Sequence, residues 1–185
     1  RLYEIELVEA TNIPKATVGV IKSNVGESAS TEDGGVASIV DRGQRGIWRE
    51  PLHPDKLYLN TKAYEVTMLS TEQQIIRYGI GPETAVGTDD REIEVRTSDG
   101  FTFPVDVRVE YRINAMDAPQ VVAEFGGDDA KLHRYLASVV RAIFRNNAEN
   151  VKALDYVKQR SQQEASSTDT IRNEMGDVGV TVNAV

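Results

Sequence analysis

Residues 97–113 have the sequence TSDGFTFPVDVRVEYRI, and this segment decides the fold class. From Phe101 onward, apolar residues alternate with other residues without a break, which is typical of a β-strand with one face directed toward a core. The seven positions predicted to share that core face are Phe101, Phe103, Val105, Val107, Val109, Tyr111 and Ile113. Burial of these side chains would contribute roughly 10 to 20 kcal/mol before chain entropy is counted.

A tight turn precedes this strand. The run at residues 91–97, REIEVRT, also alternates, and Asp99-Gly100 separates it from the second run. Asp-Gly between two alternating runs favours a hairpin because glycine accepts the positive φ that the turn requires. We therefore expect an antiparallel hairpin, with Pro104, which has no N–H, at an edge, a bulge or a position without a ladder hydrogen bond.

The rest of the chain divides into a β-rich first half and a helical second half. Short β-branched runs alternate with polar loops at residues 23–35 and 81–90. From Ala118 the apolar period changes to that of a helix, and Asp128 is a candidate N-cap for the longest helical stripe. A strand is predicted at residues 180–185. The sequence thus predicts an α+β fold with an antiparallel β-rich part at residues 1–115 and a helical (α/β) part with a final strand at 116–185.

Composition excludes several classes of function. The chain has 185 residues, two histidines, no cysteine and a formal net charge of -8. The acidic balance argues against nucleic-acid binding, and two isolated histidines without cysteine make a poor metal site. No nucleophile motif or phosphate-binding loop is present. We therefore expect no catalytic residue, no cofactor and no enzymatic activity.

A basic segment surrounds the only tryptophan. Its candidate membrane-contact residues are Arg42, Arg45, Ile47, Trp48, Arg49 and Leu52. Tryptophan favours the membrane–water interface and arginine favours anionic headgroups, so this segment could touch a bilayer from an irregular loop. The alternative is that Trp48 caps the sheet while the arginines stay in water.

The polar face of the long strand is a candidate subunit interface. Its charges alternate in sign along Asp106, Arg108, Glu110 and Arg112. Such a face is suited either to a neighbouring copy of the chain or to solvent. Reversing the two arginines should leave the fold intact and weaken assembly if a copy binds there.

Three segments in this order resemble the SPFH or Band 7 domain of stomatins, prohibitins, flotillins and bacterial membrane-protease regulators. They are GIWREPLHPDKLYLNTKAYEVTML at residues 46–69, IEVRTSDGFTFPVDVRVEYRI at 93–113 and GVTVNAV at 179–185. The hairpin pattern T-x-D-G-hydrophobic is intact at residues 97–101. Within the first segment, Asp55 stands where the family usually has glycine.

The resemblance implies a membrane-associated scaffold rather than an enzyme. It implies an upstream hydrophobic anchor, a downstream coiled coil and lateral assembly into large rings or cages. The implied partners are other copies or related subunits, membrane lipids, and membrane proteins such as proteases or channels, which such arrays organise into microdomains. A soluble adaptor that binds a peptide by strand addition near Pro104 is the alternative function.

Overall fold

The computed structural model describes residues 9–28, 39–79 and 91–185. The described chain forms two compact units. The first contains residues up to Glu72 together with Ile113–Gly127, and the second contains Gln73–Arg112 together with Asp128–Val185. The units do not divide at the boundary predicted between residues 115 and 116, because the chain leaves the first unit and returns to it. The mixture of antiparallel strands, then helices and a final strand confirms the predicted α+β class.

The first unit is built on a five-stranded sheet. Its elements are β1 (Thr11–Asn12), β2 (Thr17–Ser23), β3 (Glu27–Ser28), β4 (Ile39–Val40), β5 (Gln44–Trp48), β6 (Lys56–Leu57), β7 (Tyr64–Ser70) and α1 (Ala118–Phe125). Strand β2 is central and pairs antiparallel with β5 and with the full length of β7. Strands β3 and β4 pair in parallel with β5, and β1 pairs with β6. The β-branched residues of β2 favour a strand, and almost the whole of this strand is buried.

The second unit contains two small sheets and three helices. Its elements are β8 (Gln74–Tyr78), β9 (Ile93–Arg96), β10 (Thr102–Val105), β11 (Val107–Ile113), α2 (Asp129–Glu149), α3 (Ala153–Lys158), α4 (Arg160–Gly176) and β12 (Val180–Ala184). The predicted hairpin is confirmed: β9 and β10 pair antiparallel, and Gly100 in their turn has a φ of 87°. The second sheet has the order β12-β11-β8.

The prediction of one continuous strand after the turn was wrong. Strand β10 pairs with β9, whereas β11 pairs with β8 and lies between β8 and β12. The ladder with β9 ends at the pair Val105–Ile93, so the chain must find a new partner beyond Asp106. The core face therefore begins at Val107, and Phe101 is 62% exposed.

The helical part follows the predicted periodicity. The Asp128 carboxylate accepts a hydrogen bond from the Ala130 N–H at 2.9 Å, which confirms the predicted N-cap. Helix α2 buries Leu132, Leu136, Val140 and Phe144 along one stripe. Helix α4 buries the predicted Ile171 and Met175 together with Ser167. It packs against α2 and β12, which closes the inner side of the β12-β11-β8 sheet.

Three sequence-based predictions fall wholly or partly outside the described residues. They are the first eight residues of the predicted β-rich part, the loop at 23–35 beyond residue 28, and the loop at 81–90. Within the described part of the first of these loops, residues 27–28 form the short strand β3.

Candidate functional site

The outer surface of the β12-β11-β8 sheet carries the four predicted interface residues. Buried residues alternate along β11, so the intervening side chains lie on the opposite side of the sheet. We call this set, Asp106, Arg108, Glu110 and Arg112, the charged face. Three of its members are exposed and Glu110 is partly buried. The local alternation of the sequence is thus sufficient to bring Arg108, Glu110 and Arg112 to one surface, and Asp106 directly precedes β11.

The two middle residues of the charged face contact each other. The Arg108 Nη2 atom lies 3.2 Å from Glu110 Oε1, and Gln73 Nε2 donates a hydrogen bond of 2.7 Å to Glu110 Oε2. The ion pair is solvent-exposed, with 51% and 27% of the two side chains accessible, so it contributes at most about 1 kcal/mol. Its main consequence is to hold both charged groups in place on the surface.

The two outer residues remain open to other contacts. Neither Asp106 nor Arg112 forms a side-chain ion pair or hydrogen bond with another residue in the described ranges. The Asp106 carboxylate lies against Gly79, where a Cβ atom would approach Asp106 Oδ1 to 2.8 Å. Because Gly79 has no side chain, the Asp106 carboxylate can occupy this position without a steric clash. One unpaired acid and one unpaired base flank the central pair.

Strand β8 adds an apolar and a basic residue to the same surface. Glu110 lies opposite Ile75, and Arg108 lies opposite Arg77, and residues directly opposed in a ladder project to the same side. Ile75, the second residue of β8, is 47% exposed. The surface therefore combines alternating charge with an accessible apolar side chain.

A groove of about 580 Å³ begins where β10 passes into β11. The residues that line it are Phe103, Pro104, Val105, Asp106, Val107, Arg108, Phe144, Tyr156, Val157, Arg160, Gln163, Glu164 and Val185. The rings of Phe103 and Tyr156 meet edge to face, with centroids 5.6 Å apart. Arg160 and Glu164 are exposed at the rim. An apolar floor with charged margins fits an apolar side chain from a polypeptide, and the groove is continuous with the charged face.

Arginines of α2 cover the outer edge of the β9–β10 hairpin. Arg141 donates hydrogen bonds to the carbonyls of Arg91 and Glu92, at 2.8 and 3.3 Å, and Arg145 Nε donates to the carbonyl of Glu94 at 3.3 Å. Because the Glu94 carbonyl points away from β10, the opposed pair Glu94–Pro104 is one without ladder hydrogen bonds. The missing N–H of Pro104 therefore lies at the open edge of β10, as expected for proline in an edge strand.

The basic segment around Trp48 has a different geometry from the one predicted. Trp48 is not in an irregular loop, because it is the last residue of β5 and is only 7% exposed. It packs edge to face on Tyr64 at 5.4 Å and donates from Nε1 to the Gln44 carbonyl at 3.0 Å. Ile47 is also buried and Leu52 is partly buried. The sheet-capping alternative therefore describes the tryptophan.

The arginines of this segment do stay in water. The three side chains, Arg42, Arg45 and Arg49, are exposed. The Arg42 guanidinium lies 5.7 Å from the centre of the Trp48 ring, and Arg49 Nε lies 3.6 Å from Asp41 Oδ1. Contact of this segment with a membrane stays a prediction. The residues that could make this contact are the exposed arginines and not the buried indole of Trp48.

The turn of the hairpin has a role that the sequence did not reveal. The Asp99 carboxylate accepts a hydrogen bond from the Ala153 N–H at 3.1 Å, which caps the first turn of α3 from a distant part of the chain. The buried Thr97 donates its hydroxyl to Asp99 Oδ1 at 2.6 Å, and this hydrogen bond lowers the pKa of Asp99. The Ser98 N–H also donates to the Val151 carbonyl at 3.0 Å. The turn therefore fastens the hairpin to the start of α3.

One polar cluster surrounds the buried Tyr111 on the inner side of the second unit. The Tyr111 hydroxyl donates to Gln74 Oε1 at 2.6 Å and lies 2.8 Å from His133 Nε2. Burial raises the pKa of Tyr111, and the nearby negative charge of Asp129 adds to this effect. In the described ranges, no three His, Cys, Asp or Glu side chains are grouped so that they could hold a metal ion. The cluster joins β8, β11 and α2, which is a structural role.

Nearly the whole chain matches a known protein family. A family model described as SPFH domain / Band 7 family matches residues 11–185. A search of the curated proteins found no match. Among the described helices, none combines the length and the apolar character required to cross a membrane.

Proposed function

The chain belongs to the SPFH domain / Band 7 family, and from this premise we propose that it is a non-enzymatic, membrane-associated scaffold domain. Copies of the protein assemble side by side into large rings or cages. The array organises a membrane microdomain and regulates membrane proteins, such as proteases or channels, that lie within it. Its mechanism is assembly rather than turnover.

The observation that carries this proposal is the accessible charged face. Helices cover the inner side of the β12-β11-β8 sheet, whereas its outer side presents fixed charges of both signs and an exposed Ile75. Each exposed ion pair contributes at most about 1 kcal/mol, so one contact between copies is weak. Copies held on a membrane meet at high effective concentration, and weak contacts then suffice for an array.

The basic segment supports the membrane part of the proposal. Arg42, Arg45 and Arg49 are exposed, so three cations of this segment can meet anionic headgroups. Trp48 supports the segment from inside the sheet and holds Arg42 over its ring.

The test is the particle mass of the native-length protein after gentle extraction from membranes. The double variant Arg108→Glu, Arg112→Glu should keep its fold and lose most of the high-mass particles. The matched control is Lys131→Glu, Lys158→Glu, which changes net charge equally on exposed positions of α2 and α3. Light scattering or direct imaging gives the mass. A native protein that stays monomeric in membranes would overturn the proposal.

The adaptor alternative receives less support from the open edge of β10. Strand addition needs donors and acceptors along that edge, and the missing N–H of Pro104 faces it. An incoming strand would lose one hydrogen bond at the centre of a four-residue edge. The adaptor would be favoured if the protein bound an extended peptide with an affinity that neither lipid nor charge reversal on β11 changed.

A further inference from the structure

The order of charges on the charged face is complementary to itself when reversed. Read from residue 106 to residue 112, the signs are negative, positive, negative and positive at every second position. Read backwards, the order is positive, negative, positive and negative. Two identical strands that face each other in opposite directions therefore oppose unlike charges at all four positions, whereas two parallel strands in register oppose like charges at all four.

The centre of this symmetry is Val109. Rotation by a half-turn about an axis that passes over Val109 on the outer side of the sheet, at right angles to β11, places Asp106 opposite the Arg112 of a second copy and Arg108 opposite its Glu110. A contact in which the same patch serves both copies is isologous, and such contacts require this kind of self-complementarity. The two residues that lack partners within the described chain, Asp106 and Arg112, are those that the half-turn brings together.

The surroundings of the axis fit a face-to-face contact. Ile75 lies opposite Glu110 in the ladder, one position from the register partner of Val109, so an exposed apolar side chain lies beside the axis on each copy. Stacked sheets lie about 10 Å apart, a distance that opposed Asp and Arg side chains can span. The long side chains of the central Arg108–Glu110 pair can exchange partners without breaking the strand pairing.

We infer that two copies of this chain pair through their charged faces, with their β11 strands antiparallel about a two-fold axis at Val109. The inference rests on the proposed function, because it names the partner of that surface as a second copy. An isologous contact closes after two copies, so the pair is the repeating unit of the larger array and a different contact joins one pair to the next.

Thiol crosslinking on the native-length protein tests this geometry. Residues 1–185 contain no cysteine, so the variants Asp106→Cys and Arg112→Cys each add a single thiol to this part of the chain. Two differently tagged populations, one with each variant, are co-expressed and treated with a bismaleimide that spans about 10 Å. The unsubstituted protein is the control for thiols elsewhere.

The two-fold pair predicts crosslinks only between unlike variants. Residue 106 of one copy lies opposite residue 112 of the other, whereas residues 106 of the two copies are about 20 Å apart along the strands. Crosslinks between identical variants, or none in a protein that still forms large particles, would overturn the inference and leave the proposed function standing. Monomeric native protein would overturn both.

Charge complementation gives a second test. The variant Arg108→Glu, Arg112→Glu makes the face wholly acidic, and Asp106→Arg, Glu110→Arg makes it wholly basic. Each alone should associate about tenfold more weakly, because every opposed pair becomes repulsive. A one-to-one mixture should recover the native association, because every opposed pair is again unlike. Failure of the mixture to recover, when each variant alone is folded and weakened, contradicts pairing through the charged faces, whereas the crosslinks test the antiparallel register.

Discussion

Strands β10 and β11 follow each other directly in the sequence with the same alternation, but they have different environments. In β11 the apolar residues Val107, Val109 and Tyr111 are buried under helices. In the hairpin that ends with β10, Phe101 is exposed, and Phe103 and Val105 are only partly buried beside the groove. The alternation is equally perfect in both, so it does not decide the depth of burial.

The difference comes from the layers above each strand. Strand β11 is the middle of three strands, with α4 packed beside it on β12. Among the described residues, strand β10 pairs only with β9, and its residues Phe103, Pro104 and Val105 line the groove. A strand pattern thus states which side chains share a face, whereas neighbouring elements determine whether that face loses contact with water.

The largest expected effect comes from a substitution on the buried face of β11. Val109→Asn places a polar amide in a fully buried position and should lower the free energy of unfolding by about 3 to 4 kcal/mol. The matched change Phe101→Asn lies at an exposed position and should alter it by less than about 0.5 kcal/mol. Urea unfolding monitored by circular dichroism measures both. Equal losses would mean that the two positions are buried alike.

A smaller effect concerns the polar cluster under β11. Tyr111→Phe leaves Gln74 and His133 without the hydroxyl that bonds both and should cost about 1 to 2 kcal/mol at neutral pH. Since burial raises the Tyr111 pKa above its ordinary value of 10.0, its stabilisation is complete below pH 10 and is lost as pH rises through the folded value. The difference in unfolding free energy between native protein and variant should therefore shrink above pH 10. A difference that stays constant to high pH contradicts the assignment.

The smallest effect concerns the turn before β10. Asp99→Ala removes the cap of α3 and should lower the Tm slightly and speed hydrogen exchange at the Ala153 amide. Because the Thr97 hydroxyl lowers the Asp99 pKa, this stabilisation is present above the ordinary value of 3.8 and is lost as pH falls through the folded value. The Tm difference from native protein should therefore vanish in strong acid. The variant Asp99→Asn keeps an acceptor and serves as the control; exchange at Ala153 as fast as in Asp99→Ala would show that charge, not capping, matters.

Much of the candidate site was predictable because it lies on one short segment. The four charges share a surface through the period of two alone, and the structure places them there. The N-cap at Asp128 and the Asp-Gly turn are also local features. The groove was not predictable, since it joins Phe103 to Tyr156 on α3 and to Arg160 on α4, more than fifty residues away.

The membrane-contact residues show the opposite case. Trp48 among arginines has the composition of an interfacial loop, but β5 pairs with β2 and turns the indole against Tyr64. Strand β2 lies more than twenty residues before β5 in the chain, so no local sequence pattern predicts that the two strands pair. Exposure of the arginines follows from their cost of burial and needed no tertiary information.

By itself the sequence determined the α+β class, the hairpin, the helical stripes and the alternating charges, because each depends on residues within a few positions of one another. Only the tertiary structure decided that the long alternating segment divides at Asp106, that Trp48 is internal and that Asp99 caps α3. These features depend on the partner that each segment finds. That choice is made by packing and hydrogen bonding between residues distant in the chain, where a local pattern carries no information.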